Sequence, residues 1–89
     1  VLMFADLDDF KKVNDTLGRA VGDEVLVHFA HSTRHLLRRS DIVARYGGDE
    51  FVFMLTNMSV REAEQVAIRL QREFIKSIGQ QGIPLDLSF

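Results

Sequence analysis

The chain has 89 residues, enough for one small hydrophobic core and not for a second. Apolar residues make up 46% of it and charged residues 27%, which excludes a disordered chain. A net charge of −2 argues against a nucleic-acid polymer as partner, and the absence of cysteine excludes disulfides, thiolate metal sites and a Cys nucleophile.

No apolar run reaches the ~18 residues a membrane span needs. The sequence begins without Met, and both ends fall inside apolar runs, so a piece of a longer chain is expected. Residues 1–7 form an apolar run closing on acids and predict a buried strand. Asp8 or Asp9 is placed to cap a short helix over 10–17, which Gly18 ends. A longer helix is predicted over 20–39, with Val21, Val25, Leu26, Phe29, Ala30, Thr33, Leu36 and Leu37 on its apolar face. Residues 42–46 and 51–56 are β-rich and flank Gly47-Gly48-Asp49-Glu50, which predicts a hairpin.

Ser59 with Glu62 has the spacing of a capping box and opens a third helix. Ala63, Val66, Ala67, Leu70, Phe74 and Ile78 give that helix its buried stripe, and Gly79 ends it after Lys76. Residues 80–84 are expected as a loop and 85–89 as a last strand. The order β-α-α-β-β-α-β predicts an α+β sandwich of ferredoxin-like type, with an antiparallel-containing central sheet, helices packed on it and the first strand in the middle. The five phenylalanines Phe10, Phe29, Phe51, Phe53 and Phe74 are expected in the core.

The acids are unevenly spread. Asp6, Asp8 and Asp9 end the first strand, and Asp49 and Glu50 lie in the hairpin link. If these two regions sit side by side, their carboxylates repel unless a cation lies between them. Oxygen ligands without His or Cys favour Mg²⁺ or Mn²⁺ over zinc. The plainer alternative is an exposed acidic turn plus a helix cap. Gly47 and Gly48 suggest either a backbone that a ligand approaches closely or simply a tight turn. The start of the first helix, at Asp9-Phe10-Lys11-Lys12, offers free N–H groups and a lysine to polyphosphate, or ordinary capping with solvated lysines. Asn14 and Asp23 can together read a guanine edge; alone, each also suits a helix terminus.

These residues resemble a known family. Asp6-Leu7-Asp8-Asp9-Phe10-Lys11-Lys12-Val13-Asn14-Asp15, then Gly22-Asp23-Glu24-Val25-Leu26, then Arg45-Tyr46-Gly47-Gly48-Asp49-Glu50-Phe51 look like the diguanylate cyclase (GGDEF) domain, across residues 1–89 and over part of the family domain. The resemblance implies a nucleotidyl-cyclase-like fold and condensation of two GTP into cyclic di-GMP with release of pyrophosphate. It implies that Asp6 and one or both of Asp49 and Glu50 hold two Mg²⁺ (or Mn²⁺), with the Leu7 carbonyl as a further ligand, and that Asp49 and Glu50 are catalytic, Asp49 as the candidate for deprotonating the ribose 3′-hydroxyl. Asn14 and Asp23 would bind guanine. The amides around Asp9, Phe10 and Lys11, with the Lys11 side chain, would hold the β- and γ-phosphates, and Gly47 and Gly48 would let the nucleotide lie against the turn. Arg19 stands where many members have His, and altered affinity is expected there.

Arg38-Arg39-Ser40-Asp41 fits the family's RxxD motif, through which Arg38 and Asp41 would bind product and inhibit; a basic helix end followed by a cap is the plain alternative. The family reaction implies a homodimer, each subunit holding one GTP, with a sensory domain elsewhere in the parent chain. A cytoplasmic domain is expected, with or without a membrane tether in the parent. The family's helical lead-in and its triphosphate-binding segment after the last strand are absent from this sequence, so weak or no turnover is expected of the 89 residues alone. A non-catalytic receptor for cyclic di-GMP or GTP is the alternative. His28, His31 and His35 share one arc of the second helix and are expected on a solvated surface.

Overall fold

The computed structural model describes residues 1–83 and 85–89. Its elements are β1 (Leu2–Asp8), α1 (Phe10–Leu17), α2 (Arg19–Leu36), β2 (Ile42–Arg45), β3 (Glu50–Met54), α3 (Val60–Gly79) and β4 (Asp86–Ser88). The expected loop over 80–84 ends on Pro84, which lies outside the described residues. The sheet order is β2-β3-β1-β4, with every neighbouring pair antiparallel and β1 central. This is the ferredoxin-like α+β arrangement that the order of elements predicts.

Register sorts the residues of the sheet onto two faces. Ala5 and Leu7 of β1 share a face with Phe51 and Phe53 of β3 and Leu87 of β4, and all five are buried. α2 and α3 close that face. Phe29 of α2 packs against Phe51, Phe53 and, from α3, Phe74, with ring centroids 4.3, 6.2 and 5.2 Å away. All five phenylalanines predicted for the core are buried. The opposite face carries Leu2, Phe4, Ile42 and Met54, all exposed. The first strand is therefore buried on one face only, not wholly as its apolar run suggests.

Other boundaries shift for local reasons. α2 ends at Leu36 because Leu37 is extended, with φ −86° and ψ 144°, its N–H reaching back to the Thr33 carbonyl. Arg38 and Asp41 have begun a separate turn there. Ala30, expected in the core, is exposed, while Ser32 is buried. Ser59 and Glu62 do form the capping box, each side chain accepting from the other's backbone N–H at 3.1 and 3.2 Å. The expected cap of α1 is absent: Asp9 sits at the N-cap in the left-handed region, φ 63° and ψ 19°, and its carboxylate accepts nothing from the helix.

Candidate functional site

The strand register brings the separated acids together. Asp6 of β1 lies directly opposite Glu50 of β3, and an antiparallel partner on the same face is a few ångströms away. The next step of the ladder is a bond from the Leu7 N–H to the Asp49 carbonyl, 2.9 Å. Asp8 projects from the same face of β1, one pleat on, and accepts from the Ser88 hydroxyl at 3.0 Å. The two carboxylate groups that are far apart in the sequence thus meet at one end of the central strand pair, on the face the helices leave open.

The electrostatics record the crowding. Partial desolvation, then the negative charges of Asp49, Asp8 and Glu50, push the Asp6 carboxyl above its ordinary value of 3.8. Tyr46 is also raised, by desolvation and by Glu50, Asp6 and Asp49. A divalent cation would relieve this repulsion, and an all-oxygen donor set suits Mg²⁺ or Mn²⁺. Among the described residues no three acid or histidine side chains are already drawn into a cage. Mg²⁺ is commonly held by one or two carboxylates and completed by water and phosphate oxygens. Asp6, Glu50, Asp49 and the Leu7 carbonyl are the groups present to hold it.

The hairpin link is held by Arg45, which stands in the motif without an expected role of its own. Arg45 folds over the turn and donates from Nε to the Gly47 carbonyl at 3.1 Å and from its terminal nitrogen to the Gly48 carbonyl at 2.8 Å. The Tyr46 N–H closes the hairpin on the Glu50 carbonyl at 3.1 Å. Neither Gly47 nor Gly48 takes a positive φ, so backbone freedom is not what the turn asks of them. A Cβ on Gly47 would stand 3.3 Å from Cβ and Oε2 of Glu50, and would crowd that carboxylate. A Cβ on Gly48 would meet nothing within 4 Å, leaving open space against the turn.

α1 begins one residue beyond β1, next to the acids. The left-handed backbone of Asp9 costs about 1–2 kcal/mol in a non-glycine residue. It turns the chain so that the first N–H groups, at Phe10 and Lys11, have no protein partner among the described residues. No acid lies in the first turn of α1. Lys11 and Arg19 are exposed, and the ion pair found among the described residues involves neither. Phe10 itself is buried and anchors the turn.

Gly18, at φ 96°, joins α1 to α2 in one residue. The tight joint lays the two helices together so that Asn14 packs on Gly22: a Cβ there would come within 1.8 Å of the Asn14 Oδ1. Asn14 is thereby held beside the backbone of Asp23, whose exposed side chain lines a groove with Glu24, Val27, His28 and Gln81. Gly22 was visible in the sequence as part of a motif, but its reason, room for a partner eight residues earlier, was not.

Arg38 and Asp41 lie elsewhere. The Asp41 side chain is 2% exposed and accepts from the Arg38 N–H at 2.9 Å and the Thr56 N–H at 3.1 Å. Arg38 stays half-exposed, donating to the Thr56 carbonyl and, from Nε, to Asp41 at 3.4 Å. Burial pushes the Asp41 carboxyl up, but these N–H groups and the guanidinium outweigh it and hold it below the ordinary range. Arg38 and Asp41 line a groove with Glu62, Gln65 and Arg69 of α3. Arg69 adds a second guanidinium that no sequence spacing ties to the first.

Comparison with known proteins agrees with this geometry. Residues 1–88 match the family model described as "Diguanylate cyclase, GGDEF domain". Diguanylate cyclase DosC of Escherichia coli is 38% identical over 98% of this chain, which spans 20% of that protein. The active GGEEF domain of a Vibrio cholerae diguanylate cyclase superposes with a TM-score of 0.86 at 29% identity, over 97% of this chain and 56% of that one. The GGDEF domain of DgcB from Caulobacter crescentus, solved in complex with c-di-GMP, gives 0.76 at 29% identity, over 81% of this chain and 42% of that one. The chain belongs to the diguanylate cyclase GGDEF-domain family.

Proposed function

We propose that this chain is part of the catalytic domain of a diguanylate cyclase, which joins two GTP molecules into cyclic di-GMP and releases two pyrophosphates. The observation that carries the reading is the opposition of Asp6 to Glu50, with Asp49 bonded to Leu7, beside an uncapped helix start. An acid pair alone is common on protein surfaces. An acid pair next to free N–H groups and an unpaired lysine suits a triphosphate carrying a divalent cation.

In this reading Asp6, Glu50, Asp49 and the Leu7 carbonyl hold Mg²⁺ or Mn²⁺, which neutralises charge on the phosphates when bound. The N–H groups of Phe10 and Lys11, turned out by Asp9, donate to the β- and γ-phosphate oxygens, with the Lys11 ammonium as a countercharge. Asn14 and Asp23 take the guanine edge, and Arg19 reaches the same nucleotide from the start of α2. Gly47 and Gly48 leave the turn open to the ribose. Asp49 takes the proton of the 3′-hydroxyl, whose oxygen attacks the α-phosphorus of the second GTP and expels pyrophosphate.

One chain presents one such site, and the cyclic product has two phosphodiester bonds. Two subunits must therefore face each other, each supplying a 3′-oxygen to the other's nucleotide. Arg38, held by Asp41, binds the cyclic product as an inhibitor; DgcB, a relative, has been solved with that dinucleotide bound. The domain works in the cytoplasm, where GTP is available, under a sensory domain of the parent.

The full-length parent, incubated with GTP and Mg²⁺, is expected to yield cyclic di-GMP and two pyrophosphates per product, and Glu50→Gln to abolish the yield. A parent that binds GTP but forms no dinucleotide in any activated state would make the domain a receptor instead.

A further inference from the structure

His31 and His35 stand one turn apart on α2, both exposed, on a part of the helix away from the acids and from the Asn14–Asp23 pair. Their ring centroids are 4.7 Å apart and the planes are inclined at 72°. Neither ring has a hydrogen-bond partner among the described residues. His28, one turn earlier, differs: its Nδ1 is engaged with the Ser77 hydroxyl of α3 at 2.9 Å, so it belongs to the helix interface and not to the solvated arc expected for it.

The 4.7 Å separation has a chemical meaning. An imidazole nitrogen binds Zn²⁺ at about 2.0–2.1 Å, which puts its ring centroid ~3.2 Å from the ion. Two imidazoles sharing one ion at 90–110° therefore have centroids about 4.5–5.3 Å apart. The observed spacing lies in that interval, so a shared ion requires no change in the separation of the rings, only side-chain rotation that turns a nitrogen of each exposed ring toward it. Both rings already stand in water, so chelation removes little hydration and breaks no bond.

We propose that His31 and His35 form a two-imidazole site for a borderline divalent transition metal: Zn²⁺, Ni²⁺ or Cu²⁺. Imidazole suits these ions, whereas Mg²⁺ prefers carboxylate and phosphate oxygen. The site is thus chemically separate from the one at Asp6 and Glu50. No third His, Cys, Asp or Glu among the described residues joins the pair. The other coordination positions are left to water or to a donor from another molecule. The ion would staple the last turns of α2, one residue before Leu37 leads the chain to Arg38 and Asp41.

The test is a Zn²⁺ titration of the full chain by calorimetry, in excess Mg²⁺ to occupy the carboxylates, with Cu²⁺ electron paramagnetic resonance to identify the ligands. One ion per chain is expected, with a spectrum showing two imidazole nitrogens and a rise in the melting temperature on loading. His31→Gln and His35→Gln should each weaken binding at least about tenfold, and the double variant should abolish it. His28→Gln should leave the affinity unchanged. Unaltered binding in the double variant, loss of binding in His28→Gln, or a spectrum without two nitrogens would each overturn the proposal. Circular dichroism of the variants controls for folding, which substitution of exposed rings should not disturb.

Discussion

Without a bound cation, Asp6 is a liability to the fold. Its carboxyl is raised by partial desolvation and by Asp49, Asp8 and Glu50, so the folded chain disfavours the charged form. A carboxyl raised in the folded state subtracts stability once it ionises: nothing is lost well below pH 3.8, and the full penalty is present above the raised value. At neutral pH the metal-free Asp6→Asn variant should therefore melt higher than the parent chain. Mg²⁺ should raise the melting temperature of the parent chain and not that of the variant, as differential scanning calorimetry would show. Gly22 makes the opposite case, a residue with no polar side chain whose replacement should cost binding. A methyl group 1.8 Å from the Asn14 Oδ1 forces that amide to rotate away. Gly22→Ala should weaken GTP binding about tenfold or more, the effect of one or two lost hydrogen bonds, while leaving the melting temperature nearly unchanged. A variant that binds GTP as tightly as its parent would remove Asn14 from the guanine contact.

At the level of elements, the junction of α2 with β2 depends on one carboxylate. Asp41 ties the Arg38 turn to the Thr56 N–H that follows β3, alongside the Arg38 bond to the Thr56 carbonyl and the Thr56 hydroxyl bond to Ser40. Because its pKa is lowered in the fold, Asp41 contributes stability above the ordinary value of 3.8, and that contribution is lost as pH falls through the lower folded value. Asp41→Asn should cost about 1–3 kcal/mol in urea denaturation at pH 7 and flatten the acid limb of the stability profile. The sequence carried the elements of this region well but not their ends. Helical periodicity of Val25, Phe29 and Leu36 announced α2. Nothing local to Leu37 announced that the helix stops there, because the stop is made by a side chain four residues on and a strand end nineteen residues on. The same holds for α1, where two aspartates promised a cap and the left-handed backbone of Asp9 leaves the helix start without a side-chain cap. Side-chain chemistry is written locally, whereas the choice between capping and leaving N–H groups free is made by where β1 delivers the chain.

The whole molecule explains why motif and site coincide. With β1 central and antiparallel to β3, the C-terminal end of one strand meets the N-terminal end of the other, so Asp6 and Glu50 converge although 44 residues part them in the sequence. Order of elements was enough to foresee that meeting; the Arg45 clamp on the turn and the place of Arg69 in the groove it shares with Arg38 were not foreseeable, since no spacing rule links them to their partners. The fold also limits what a single copy can do. Under the proposed function one such end makes one triphosphate site, and the second reacting oxygen would come from another subunit. Mixing the full-length parent with a threefold excess of its Asp6→Asn variant, under subunit exchange, tests this directly. If only dimers of two competent subunits close the ring, cyclic di-GMP formation per competent subunit falls about fourfold, the random-pairing value for a two-fold dimer. If one subunit suffices, the inert partner dilutes nothing and the rate per competent subunit holds.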